Sequence, residues 1–310
     1  MKVLARVMRF AASMVLLLVA SFAMIHLIPG DPVRAALGPT APAELVQQRR
    51  SELGLDDPIA VQFGRYLRDI FTGDLGTSFV SRQPVAEIIG ARLLSTLELA
   101  ALATLVAMLI AIPIGMLLAT RTENGRNRGS ELVFTSVTGV LATIPDFLLA
   151  VGLVVVFAVN LAWLPPAGKG GPESYLLPII ALAVGPAAVL ARLVRVEALR
   201  ELGTDYVRMA RAKRLPAWRV QLRHLLPNTL TATLTVGGLL LSSLVTGTVI
   251  VEYVFAWPGL GSRIVESITD KDYPVAQAAI LVYGAIVLVV NLVVDLALAV
   301  LDPRSEIRNG

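Results

Sequence analysis

Along this chain, long uncharged runs alternate with short charged intervals. Arg9 is followed by FAASMVLLLVASFAMIHLI, 19 residues without a charge. About 20 apolar residues in a helix cross a hydrocarbon core of about 30 Å. Runs of sufficient length recur at about Thr96–Thr120, Leu132–Trp163, Leu176–Val194, Thr229–Val251 and Ala276–Leu301. The pattern predicts an all-α polytopic membrane protein with six spans. The third run is long, and Pro145 and Asp146 are expected to kink it. Lys2, Arg6 and Arg9 could head a signal peptide. The apolar stretch behind them exceeds the usual ~7–15-residue core and no A-x-A site follows directly, so an uncleaved first span is expected.

The largest interval between runs is Pro29–Ser95, which reads as folded. Asp57–Pro58 suits an N-cap followed by proline at the first helical position. Ile59, Phe63, Tyr66, Leu67 and Ile70 recur at helical spacing, and Gly73 can end that helix. A preceding helix is expected over Ala43–Leu53. Such an insert can guide a partner or brace the spans, and the sequence leaves both roles open. The chain divides into an N-terminal part, 1–95, holding the first span and the insert (about 29–95), and a core, 96–310, holding five spans and a polar loop at about 195–228.

Composition supports the membrane reading. The chain is 55% hydrophobic and 16% charged, with a mean hydropathy of +0.72, whereas soluble domains carry about 25% charged residues. The net charge of +4 and pI near 9.6 could suggest nucleic acid. The positive residues, however, lie in loops beside spans. Arg121–Glu131 holds three Arg and Arg195–Asn228 eight Lys/Arg, against one in Leu164–Tyr175 and two in Glu252–Val275. The positive-inside rule then places both termini in the cytoplasm, with no nucleic-acid partner. The absence of cysteine excludes disulfides, thiolate nucleophiles and Cys-based metal sites. The two histidines, His26 and His224, lack metalloprotease spacing.

The polar loop has a grammar of its own. In DYVRMARAKRLPAWRVQLRHLLP (Asp205–Pro227), six Lys/Arg and one histidine accompany a single acid. Tyr206–Arg214 should be helical. Leu215 precedes a proline and leaves the α region, and Pro216 can open a second helix that runs to Pro227. Two short basic helices meeting at an angle make a peg. Binding to anionic lipid heads would account for the charge but not for the break between helices.

This loop resembles the EAA motif of binding-protein-dependent ABC importer permeases, EAA-x3-G-x9-I-x-LP. The triplet falls on Arg208, Met209 and Ala210, the glycine on Arg214, the isoleucine on His224 and the final pair on Leu226–Pro227. YVRMARAKRL further resembles the dipeptide/oligopeptide/nickel branch, as does Arg223, His224, Leu226 and Asn228 read as R-H-x-L-x-N. IPGDP (Ile28–Pro32), LGLDDP (Leu53–Pro58), GDLGTSF (Gly73–Phe79), VEYVFAWPGLG (Val251–Gly261), DYPVAQ (Asp272–Gln277) and LDPR (Leu301–Arg304) extend the likeness over nearly the whole chain. It implies a type I ABC importer permease fold with an extracytoplasmic helical insert, in the bacterial cytoplasmic membrane. The implied partners are a second related permease, two cytoplasmic ATPase subunits or domains, an extracytoplasmic substrate-binding protein and the lipid bilayer. The loop would dock in an ATPase groove through Tyr206, Arg208, Met209, Ala210, Arg211, Ala212, Arg214, Leu215, His224, Leu226 and Pro227. Arg214 departs from the motif. Glycine there would supply a left-handed cap, which costs arginine roughly 1 kcal/mol; Pro216 preserves the break in either case, and Arg214 is free to pair with an acid on this chain's own ATPase.

No G-x4-GK[ST] occurs, and GKGG at Gly168–Gly171 reads as a turn, so the chain is expected to hold no cofactor, ATP and Mg being bound by the partner ATPases. An ion-coupled carrier would need intramembrane ionisable groups. Asp295 reads as structural. Asp146 follows Pro145 at mid-span, where broken helices line cavities; it is a candidate for the translocation pathway, offering a carboxylate to a peptide ammonium, or else an interhelical hydrogen-bonding residue. Glu98 and Glu252 are expected to cap or pair at span ends, Trp163 and Trp257 to sit in the interfacial aromatic belt, and Trp218 to anchor the second short helix. Glycines and prolines in spans four and five (Pro178, Gly185–Pro186, Gly237–Gly238) suit close packing and bending. With no clustered nucleophile, base or metal ligands, an intramembrane enzyme is disfavoured. The reading is a non-catalytic permease subunit of an importer of short peptides, with nickel chelates, haem or glutathione as alternatives and a stand-alone ion-coupled carrier as the competing class.

Overall fold

A computed structural model describes residues 2–27, 31–38, 40–52 and 54–301. Ile28–Gly30, Leu53 and 302–310, which carry parts of three quoted motifs, lie outside the described residues. Those described form helices and turns, with one isolated antiparallel bridge between Thr77 and Pro84. In chain order the helices are α1 (Lys2–Leu27), α2 (Pro32–Leu37), α3 (Ala43–Glu52), α4 (Ile59–Thr72), α5 (Val85–Thr122), α6 (Arg128–Thr143), α7 (Asp146–Leu153), α8 (Leu176–Leu202), α9 (Asp205–Ala212), α10 (Ala217–Val220), α11 (Leu226–Val254), α12 (Leu260–Thr269) and α13 (Tyr273–Leu301).

Among the described residues, four helical stretches are long and apolar enough to cross a membrane: Arg6–Met24, Val85–Gly125, Pro172–Leu202 and Tyr273–Leu296. The predicted fifth run lies within the 29-residue α11, whose segment Ser243–Val254 is apolar. The predicted third run is broken far more sharply than a kink, with α6 and the helical stretch Asp146–Asn160 meeting at 94°. The cause is local. Ile144, the residue before proline, is extended (φ −71°, ψ 122°), and Pro145 follows with ψ 136°, so neither continues the helix. Trp163 lies beyond the helical stretch, 70% exposed.

The chain forms two compact units. The first comprises Met1–Thr96 and Ala256–Val289. Here Phe22 of α1 meets Phe63 of α4 edge-on, with ring centroids 5.1 Å apart. The Ser21 hydroxyl donates to the Gln277 carbonyl at 3.0 Å. The N-cap reading of Asp57 does not hold: Pro58 occupies the cap position without a side-chain bond, and the Asp57 carboxylate instead accepts from Arg65. Gly73 does end α4 in the left-handed region (φ 77°). Asp272, fully enclosed, accepts from the Ser78 hydroxyl at 2.5 Å and the Phe79 N–H at 2.9 Å, with Arg263 at 3.4 Å. Two motifs about 190 residues apart, GDLGTSF and DYPVAQ, are thereby fastened into one polar clasp. Trp257 corrects the interfacial-belt expectation. Its ring is wholly buried, and the indole N–H reaches the Ser95 carbonyl at 3.2 Å, so the polar edge is satisfied inside the protein.

The second unit comprises Leu97–Phe255 and Val290–Gly310. Its axis is α8, packed against α6, α7 and α11. Small residues let these helices close up: Ala181, Ala187, Ala191 and Ala198 are buried on α8. A Cβ added at Gly115 would meet Val194 at 2.6 Å, and one at Gly238 would meet Val294 at 2.6 Å. Glu98 pairs with Lys169 at 2.7 Å and accepts from the Tyr175 hydroxyl at 3.0 Å, as expected of a pairing residue. Gly168 adopts φ 86°, which gives the GKGG stretch its turn. Glu252 is fully enclosed.

Candidate functional site

The helix–break–helix grammar of the polar loop is realised in an elbow between α8 and α11. α9 covers Asp205–Ala212, within a residue or two of the expected Tyr206–Arg214. The break falls at Arg214, which holds φ 54°. An arginine thus takes the left-handed conformation that the motif's glycine would supply, and the proline two residues on prevents the helix from resuming in the same direction. The second helix differs from expectation. α10 spans only Ala217–Val220, and the chain then passes through a π-turn at Gln221–Leu225 directly into α11, with Pro227 in its first turn. Pro227 therefore does not stop the helix. The wider π-turn shifts the hydrogen-bond register, with the Leu226 N–H reaching the Gln221 carbonyl, so a residue without an N–H is accommodated.

The elbow has an inner and an outer face. Val207, Ala210, Val220 and Leu225 are buried in one apolar cluster with Met116 and Ala119 of α5 and Val194, Ala198 and Leu202 of α8; Tyr206, Leu215 and Leu226 pack at its edge. Two polar ties fix it further. The Tyr206 hydroxyl donates to Glu201 and accepts from the Asn228 amide at 2.7 Å, joining the elbow's entrance to its exit. Burial, and then the bond to Glu201, push this phenol above its ordinary pKa. Arg211 grips Glu123, just after α5, through two bonds of 2.7 and 2.9 Å. That bond, reinforced by the carboxylate's charge, raises the guanidinium's pKa.

The outer face is exposed. Met209 is 62% exposed and Trp218 59%. Arg208, Ala212, Arg214 and Pro227 are exposed too, and Arg208 reaches the solvent-facing Asp205, at 3.4 Å. The predicted set therefore divides. Arg208, Met209, Ala212, Arg214 and Pro227 point outward; Ala210 is buried, and Tyr206, Leu215, His224 and Leu226 are half-buried supports. Arg211 is exposed but committed to Glu123. The roles of Glu123 and Glu201 were not foreseen, because pairs that close across a turn or between loops leave no periodic trace in the sequence.

Asp146 occupies a separate place in the same unit, as the first residue of α7 after the break. It is half-buried. A Cβ built on Gly185 of α8 would lie 3.7 Å from its Oδ1, and one on Gly247 of α11 would lie 3.3 Å from its Oδ2. Gly185 had been read as a packing and bending residue, and nothing in the sequence singled out Gly247. An apolar groove of about 650 Å³ runs between α5, α6 and α8, bounded by Ile114, Val133, Val137, Leu141, Ala187 and Ala191 among others. Its Leu141 carbonyl lies 3.9 Å from the Gly185 Cβ position. Among the described residues no group of three or more His, Asp or Glu could hold a metal ion.

Residues 111–307 match the family model of the binding-protein-dependent transport system inner membrane component, and residues 1–100 match its N-terminal companion. The chain is 39% identical over 303 residues to the glutathione transport system permease protein GsiC of Salmonella typhi, covering 97% of each chain. It is 37% identical over 301 residues to GsiC of Escherichia coli K12, again covering 97% of each. Among solved structures it is similar to inward-facing forms of the MetNI methionine ABC transporter, with a TM-score of 0.60, 20% identity and coverage of 71% of this chain and 98% of that one.

Proposed function

This chain belongs to the family of binding-protein-dependent transport system inner membrane components, a permease subunit of an ABC importer with the type I fold, and from that premise we propose that it carries short peptides, glutathione among them. The observation that supports this substrate class is likeness to glutathione permeases along 97% of both chains. Glutathione is itself a tripeptide, so of the substrates expected from sequence, short peptides and glutathione belong to one class, while nickel chelates and haem stand apart from it.

In this reading the elbow is the coupling element. Its outer face presents an apolar contact, Met209 and Trp218, ringed by arginines that can meet carboxylates, and a cytoplasmic ATPase groove is the partner it fits. Its inner face is continuous with the packing of α5 and α8. A push on α9 therefore moves helices rather than a slack loop. α8 runs from Leu202 at the elbow to Gly185 beside Asp146, about 25 Å along the axis at about 1.5 Å per residue, and so links the docking face to the break. A second related permease supplies the other half of the route and a second elbow, and two ATPase subunits that bind ATP and Mg receive the pair. An extracytoplasmic binding protein delivers substrate, and both termini of this chain are cytoplasmic.

Reconstitution of the complex in vesicles tests the proposal. ATP-dependent uptake of glutathione or a dipeptide, requiring the binding protein, is the expected result. Uptake that follows an ion gradient with the ATPase subunits omitted would overturn it.

A further inference from the structure

Asp146 combines three features that point to a ligand. It follows a 94° break in a helical pair, where backbone departs from a continuous helix and can border a cavity. Its carboxylate is half-buried, yet among the described residues no hydrogen bond or ion pair is made to it. Each of its oxygens faces a glycine from a different helix, Oδ1 towards Gly185 and Oδ2 towards Gly247. A methyl group at Gly185 would sit in ordinary contact with Oδ1, at 3.7 Å, whereas one at Gly247 would crowd Oδ2, at 3.3 Å; glycine at 247 gives that oxygen room. An interhelical hydrogen bond, the alternative role, would need a donor, and these two neighbours have no side chain to provide one. An ionisable group inside a membrane segment is costly unless paired, so a half-buried carboxylate with no partner among the described residues is suited to one that arrives from outside the chain.

Resting on the importer reading, we propose that Asp146 is a cation-receiving station on the translocation route: its carboxylate takes the ammonium group of an amino-bearing substrate in passing, and Gly247 leaves Oδ2 room that a larger residue would crowd. The carboxylate's own negative charge makes the station select for a cationic amine over an anion. This places a preference for a free amino group in the permease itself, in addition to any sorting done by a binding protein.

The chain's lack of cysteine allows a direct test in the assembled complex. The Asp146→Cys variant is exposed to 2-(trimethylammonio)ethyl methanethiosulfonate, a membrane-impermeant cationic thiol reagent, and the mass of this chain is measured with and without ATP. Labelling in at least one state is expected; none in either state would overturn the proposal, because a passing ammonium could not reach the site. The second arm measures uptake at saturating loaded binding protein. Asp146→Asn should lower it tenfold or more, Asp146→Glu should retain a third or more, and Gly247→Ala should fall with Asp146→Asn. A purely structural hydrogen-bonding role gives the reverse order, with Asn tolerated and Glu not, and that order would overturn the proposal. If the wild-type complex imports neither glutathione nor a dipeptide, the substrate reading fails, while the labelling arm still decides whether Asp146 faces the aqueous route.

Discussion

Asp272 and Arg208 are both charged residues in the polar segments of a largely apolar chain, yet Asp272 is wholly enclosed while the Arg208 side chain is 71% exposed. Asp272 turns its charge inward, onto the Ser78 hydroxyl, the Phe79 amide and Arg263. Around Arg208 the apolar residues turn inward and the arginines outward, with Met209 and Trp218 left among them. A buried ion pair completed by hydrogen bonds holds a structure together, since removing one member strands the others. Exposed charges contribute little to stability, so a cluster of them beside exposed apolar side chains is better explained by a partner. The clasp spends its polarity on the fold, and the elbow keeps its own for docking.

The sharpest way to break this comparison is Asp272→Ala. Leaving the Ser78 and Phe79 donors unmet and Arg263 with Glu266 alone should cost about 3–5 kcal/mol, a large share of the roughly 5–15 kcal/mol that a folded protein commands. The expected outcome is loss of monodisperse protein in detergent and a collapsed thermal transition, with Asp272→Asn intermediate because it keeps an acceptor. An alanine variant as stable as the wild type would mean that the clasp is incidental.

Met209→Asp probes the other side. Its side chain is mostly in solvent, so the fold should melt as before, while docking of the ATPase should weaken at least tenfold, roughly 1.4 kcal/mol or more. Co-purification of the ATPase with the variant, beside its melting curve, gives the answer. Equal loss of stability and docking would assign Met209 to the core after all.

Arg214→Gly separates conformation from contact. Arginine at φ 54° should be strained by about 1 kcal/mol relative to glycine, so the variant is expected to melt slightly higher. Complex formation and ATP turnover left unchanged would discard the idea that Arg214 pairs with an acid of the ATPase; a clear fall in either would support it.

How far these features could be read beforehand follows from the range of the interactions involved. The apolar runs, the Gly73 cap and the break at Arg214–Pro216 are local, set by a few neighbouring residues, and they were legible. The Pro145 break was foreseen in place but not in degree, because the angle between α6 and α7 depends on how both pack on α8. Trp257 was misplaced because its carbonyl partner, Ser95, lies 162 residues away. Pro227 was read as a stop because a π-turn, which absorbs it, has no residue signature of its own. The surroundings of Asp146 include two glycines, Gly185 and Gly247, from two other helices, and only packing brings them together.

The smallest effect is expected where elbow and clasp most nearly resemble each other, at the pair formed by Arg211 and Glu123. Here the elbow does turn a charge inward, bidentately, but the Arg211 side chain is 45% exposed and that of Glu123 20%, so solvent screens much of the attraction. Glu123→Gln keeps one acceptor oxygen and removes the charge. Stability should fall by no more than about 0.5–1 kcal/mol, while freeing Arg211 loosens α9 against the end of α5. If the elbow transmits force as a rigid piece, ATP turnover in the assembled complex should become less tightly linked to uptake, seen as more ATP hydrolysed per substrate imported. If that ratio is unaltered while melting shifts slightly, the apolar cluster around Val207 and Ala210 alone carries the coupling, and the polar tie is only a surface ion pair.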